Sequence, residues 1–123
     1  MMKRVEEDKA REHRIAMDIL VDVYDEAECV MGWYYYLEGK LHFPFMAVCI
    51  AKRCISPLAK GEEVRVEGMA PEEECMHEVF VKVSWQKRKL CVPLSQLDGV
   101  EVSGETEEAI EDWHYWVARG YLF

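Results

Sequence analysis

The sequence predicts an α+β fold: a small antiparallel β-barrel or sheet of the Src-homology-3 kind, with two helices before it and one after. Three observations predict it. Val79, Val81, Val83 and Trp85 alternate with Phe80, Lys82 and Ser84, the period-2 pattern of a half-buried strand. A polar turn at Gln86-Lys87-Arg88 leads to a second alternating run, Leu90, Val92 and Leu94, in which Pro93 donates no ladder hydrogen bond and belongs at an edge or an end. Leu94 to Leu97 then reads as one helical turn before a last short strand at Val100 to Val102.

The remaining elements follow in chain order. From about Asp8 to Tyr24, Ile15, Ile19 and Val23 lie on one stripe, widened by Met17 and Leu20, so the segment is an amphipathic helix. Arg14 precedes Asp18 by one helical turn, which offers local charge pairing. A second helix begins at Asp25, where Asp25 and Glu28 form a capping box, and ends near Glu38 with Gly39 as its C′ residue. After Phe43-Pro44-Phe45 the run Met46 to Ala51 is apolar on both alternating faces, so it is expected to be a strand covered on both sides. Ser56 to Gly61 is a loop, Val64 to Gly68 a short strand, and Ala70 to Glu74 an acidic loop into the central hairpin. The last helix starts with Thr106 as N-cap, packs Ile110, Trp113 and Val117 inward, and ends at Gly120, with Tyr121-Leu122-Phe123 returning to the core.

At 123 residues the chain is expected to form one domain, residues 1–123. Acids outnumber bases 24 to 15, a net charge of −9, which argues against a nucleic-acid binder. No apolar run reaches membrane-span length and the N-terminus is charged, so the expected location is cytoplasmic, with no membrane partner. The five cysteines are scattered, without C-x-x-C, and are expected to be reduced thiols. Zinc-ligand spacing is absent, as are nucleophile-elbow, P-loop and dinucleotide motifs, so no enzyme activity is expected.

The constellation that carries chemistry is rich in oxygen. Calcium takes six to eight oxygen ligands from carboxylates, carbonyls and water. Acids gather at Asp25, Glu26 and Glu28, at Glu38, at Glu72, Glu73 and Glu74, at Asp98, and at Glu108, Glu111 and Asp112. Glu38 stands at a helix C-terminus, where carbonyls lack partners and the dipole is negative. Glu108 and Asp112 are i,i+4 neighbours whose mutual repulsion a divalent ion would relieve. The same acids also read as solvated faces. A module that binds a protein partner through the small barrel, without metal, is the alternative function.

The strings MGWYYYLEGKLHFPF, CISPL, GMAPEEECMHEVFV, VPLSQL and EDWHYWVARGYLF together resemble the CcbP-like calcium-binding family of bacteria, from about Asp22 to Phe123. The resemblance implies a small, acidic, non-catalytic protein that takes calcium as its ligand without EF-hands, acting as a cytosolic buffer or sensor. It implies cation-binding acids at Glu38 within YYYLE, in the Glu72 to Glu74 loop, and at Asp112 within EDWHYW.

Overall fold

The computed structural model describes residues 8–20, 26–75 and 78–118. Two helices, α1 (Lys9–Asp18) and α2 (Glu26–Lys40), precede strands β1 (Phe45–Cys49), β2 (Glu63–Met69), β3 (Phe80–Trp85), β4 (Arg88–Pro93) and β5 (Leu97–Val100); helix α3 (Gly104–Ala118) closes the order. All pairings are antiparallel and the sheet runs β4-β3-β2-β1-β5. A 3-10 turn at Leu94–Gln96 returns the chain from β4 to β5 beside β1, an order compatible with the small barrel expected.

The hairpin forms as its alternation requires. Val79, Val81 and Val83 are buried and Lys82 is exposed. Trp85 pairs with Arg88, so the turn has two central residues, Gln86 and Lys87, both at positive φ (47° and 63°). Two left-handed residues match the twist of a hairpin, at a strain cost that glycine would avoid. Pro93 ends β4, an edge strand of the ladder, where its missing N–H costs nothing.

Helices α2 and α3 cover the inner face through Trp33, Leu37, Ile110 and Trp113, all at most 1% exposed. The Trp33 and Trp113 rings meet edge-on at 5.1 Å, worth about 0.5–1.5 kcal/mol beyond their area. The Trp113-to-Trp116 run is therefore largely core: Trp113 and Tyr115 are buried and Trp116 packs against the same cluster.

Several expectations change. Gly39 lies inside α2, and the Leu41 N–H donates to the Leu37 carbonyl at 2.8 Å, so the helix runs on through Lys40. Ser103, not Thr106, caps α3: its Oγ accepts from the Thr106 N–H at 3.3 Å and its carbonyl from the Glu107 N–H at 2.9 Å. The Thr106 hydroxyl instead accepts the His42 N–H at 2.9 Å. The last strand occupies Leu97–Val100 rather than Val100 to Val102, because Glu101 turns to φ 51°. Strand β1 is covered on one side only: Phe45, Ala47 and Cys49 are buried, while Met46 is 41% exposed. Helix α1 ends at Asp18 with Ile19 as C-cap, short of Tyr24. The Asp25 capping box, the stop at Gly120 and the return of Tyr121 to Phe123 lie outside the described residues.

Helix α1 is short and buries little beyond Ile15, so its ends matter. The Arg11 N–H donates to Asp8 Oδ1 at 3.0 Å and holds the Asp8 carboxyl below its ordinary value. A carboxyl lowered in the folded state contributes stability above its unfolded pKa, about 3.9, and loses it as pH falls through the lower folded value. Wild type should shed helicity by circular dichroism as acidification passes below about pH 4. Asp8→Ala should start less helical and lack that step; superimposable pH profiles would contradict the cap's role.

Candidate metal centre

The α3 acids singled out in the sequence, Glu108, Glu111 and Asp112, each have a basic partner. Asp112 is 0% exposed. Its carboxylate accepts from Arg11 Nη1 at 3.0 Å, Arg14 Nη2 at 2.6 Å, Arg14 Nε at 3.2 Å and the Tyr36 hydroxyl at 3.1 Å. Glu111 lies 3.9 Å from Arg11 and Glu108 3.9 Å from Arg14. The expectation of a surface carboxylate at Asp112 is thus corrected: it anchors α1 to α3. Arg14 reaches across to Asp112 instead of pairing along its own helix with Asp18. The Asp112 hydrogen bonds push the Arg14 guanidinium pKa upward, so it is always charged. Burial, followed by the negative charge of Asp112, pushes the Tyr36 phenol up to about 12 and keeps it a donor. A divalent ion at this place would meet two guanidinium groups that already supply the compensating charge.

The acids at the end of α2 differ. Glu38 is exposed near the helix C-terminus, and Glu72, Glu73 and Glu74 form an exposed 3-10 turn after β2. The Tyr34 hydroxyl donates to the Ala70 carbonyl at 2.6 Å, and the Tyr35 hydroxyl to Glu72 Oε1 at 2.5 Å. These two bonds fasten the acidic turn to α2. Tyr34 is pushed up to about 12 by burial first and then by the charges of Glu38, Cys75 and Glu72. Tyr35 is raised by its bond to Glu72, then by desolvation and the charges of Glu72 and Glu38. The charges of both Glu38 and Glu72 thus contribute to raising both phenols. Among the described residues no Lys or Arg lies within ion-pair distance of Glu38, Glu72, Glu73 or Glu74.

The donors are hard oxygens, which suit calcium rather than a softer metal. Also among the described residues, no three His, Cys, Asp or Glu side chains converge tightly enough to cage an ion. The sulfur chemistry nearby is quiet. All five cysteines are free, and burial raises the Cys75 and Cys91 thiols, which suppresses the reactive thiolate. The His114 Nε2 is engaged at 2.6 Å with the Leu97 carbonyl. No spacing in the sequence points to the roles of Tyr34 and Tyr35, because their hydroxyl partners lie 36 and 37 positions away.

Comparison with known proteins supplies the context. A family model described as calcium binding, of the CcbP type, matches residues 13–117. The crystal structure of Anabaena CcbP is similar at 43% identity, with 100% of both chains covered and a TM-score of 0.87. A structure described as a calcium binding protein in the calcium-binding form is also 43% identical, covering 99% of this chain and 100% of its own, with a TM-score of 0.82. No curated protein matches.

Proposed function

Because this chain belongs to the CcbP calcium-binding family, we infer that it is itself a calcium-binding protein, and that Glu38 and Glu72 are its principal carboxylate ligands. What supports the site is the pair of hydrogen bonds from Tyr34 to Ala70 and from Tyr35 to Glu72, which fasten the acidic turn to the helix that carries Glu38, with no Lys or Arg in ion-pair range of these acids among the described residues. Glu73 and Glu74 add to the negative charge of the turn. Glu108 and Glu111 are second in rank, since calcium must compete there with Arg14 and Arg11. Asp112 supports the fold beneath them.

The role that fits best is a cytosolic buffer. Hydrogen bonds from Tyr34 and Tyr35 hold α2 and the acidic turn together through the protein's own contacts. A rigidly fastened site of this kind takes an ion with little movement of the backbone. A sensor would need a second arrangement for calcium to select. Catalysis is not part of this reading. Among the described residues no helix is long and apolar enough to cross a membrane.

Thermal melting tests the function. Calcium at 100 times its dissociation constant should stabilise the protein by about 2.7 kcal/mol. Magnesium at equal concentration should do much less, because it demands near-octahedral geometry and holds its water. A melting temperature indifferent to millimolar calcium would remove the proposal.

A further inference from the structure

We propose that the outer face of β1 and the loop after it form a docking surface for an acidic segment of a partner protein that also carries apolar side chains. Met46, Val48 and Ile50 alternate along the side of β1 that the helices leave open. Met46 and Ile50 are 41% and 40% exposed, and Ile55 in the following loop is 56% exposed. Single exposed apolar residues are ordinary. Here they continue from a strand face into a loop whose charge is opposite to the rest of the chain. From Ile50 to Gly61 the sequence holds Lys52, Arg53 and Lys60 and no acid, within a protein of net charge −9.

Arg53 is committed to Glu78 at 2.6 Å, but Lys52 and Lys60 are exposed with no carboxylate in ion-pair range among the described residues. The loop is not loose. Leu58 is fully buried, the Ser56 Oγ accepts the Leu58 N–H at 3.2 Å, and the Gly61 N–H donates to the Cys49 carbonyl at 2.8 Å. A backbone anchored this firmly holds Ile50 and Ile55 in water by construction. Glu63 and Asp98 flank Val48 in the ladder, and Arg65 beside Met46 is paired with Glu67 at 3.2 Å, so the unpaired positive charge lies at the loop end. That asymmetry orients the occupant, with its acids at Lys52 and Lys60 and its apolar side chains toward Ile55 and Ile50. A narrow segment can meet this patch alone, whereas an anionic bilayer would also face the acids around it.

The test is selection of displayed random peptides on the full chain, followed by fluorescence anisotropy with the enriched sequences. The expected winners combine Asp or Glu with Leu, Ile or Phe, and their affinity falls as salt rises. Ile50→Ser with Ile55→Ser, and separately Lys52→Glu with Lys60→Glu, should each weaken binding about tenfold or more. All four positions are exposed, so melting temperature and calcium titration should stay at wild-type values in the lysine variant even if the isoleucine variant is less stable. Enrichment no better than on the lysine variant, or winners without acids, would overturn the proposal. So would phosphatidylserine vesicles bound equally well through the same residues, which would assign the patch to a membrane. A concentration-dependent dimer abolished by the isoleucine variant would assign it to a second copy.

Discussion

Asp112→Asn should lower the unfolding free energy by about 3 kcal/mol, the largest loss expected from changing one acid in this protein. The carboxylate is fully buried and accepts from Arg11, Arg14 and Tyr36. The amide keeps the size but removes the charge, and its NH2 turns a donor toward groups that are themselves donors. Two guanidinium groups, 22% and 29% exposed as side chains, are left facing a neutral partner. Removing one member of such a set usually costs 3–5 kcal/mol; the partial exposure of both arginines places the value at the lower end. Urea unfolding measures it, and the midpoint should drop with little change in slope. Arg14→Met should also destabilise, and the double variant should cost less than the sum, since the two changes share one interaction. A loss under 1 kcal/mol for Asp112→Asn would mean that α1 is held by something else.

The cluster around Asp112 also marks the limit of what local pattern can say. The central hairpin was legible because alternation at Val79, Val81 and Val83 is a local property, and the strand buries those residues as read. The helices were legible for the same reason, although Val117, expected to pack inward, is 42% exposed, and so was the short turn from Leu94. Whether Asp112 faces water is not a local property. Its partners Arg11 and Arg14 stand 101 and 98 positions away, and spacing within α3 favoured a pair with Glu108 instead. Strand β1 misled in the opposite way. Its apolar residues on both faces read as two-sided burial, but the helices cover one face, and the other is left to Met46 and Ile50. Gly39 suggested a helix stop because glycine favours left-handed C′ positions; the chain kept an ordinary helical conformation and went one residue further to Lys40.

For the site, the sequence singled out Glu38 and the run Glu72 to Glu74 separately, one as a helix end and the other as an acidic loop. Nothing in their spacing joined them. The junction is made by the buried Tyr34 and the exposed Tyr35, whose hydroxyls cross to Ala70 and to Glu72 of the acidic turn. A tyrosine pattern cannot announce which of its hydroxyls finds a distant partner. The acids of α3 stood out for their density, yet that density is explained by the bases of α1 that it neutralises.

Calorimetric calcium titration of site variants tests the central claim most directly. Glu38→Gln and Glu72→Gln should each weaken calcium binding about tenfold, roughly 1.4 kcal/mol, and the double variant about a hundredfold if the losses add. Glutamine keeps the size and one oxygen, so the loss reports the charge. Both positions are exposed, so the variants should melt within a few degrees of wild type without calcium. Glu108→Gln with Glu111→Gln should change the affinity by less than about threefold, roughly 0.65 kcal/mol. Wild-type affinity retained by Glu38→Gln with Glu72→Gln, with binding lost in Glu108→Gln with Glu111→Gln, would move the ion to α3 and contradict the account.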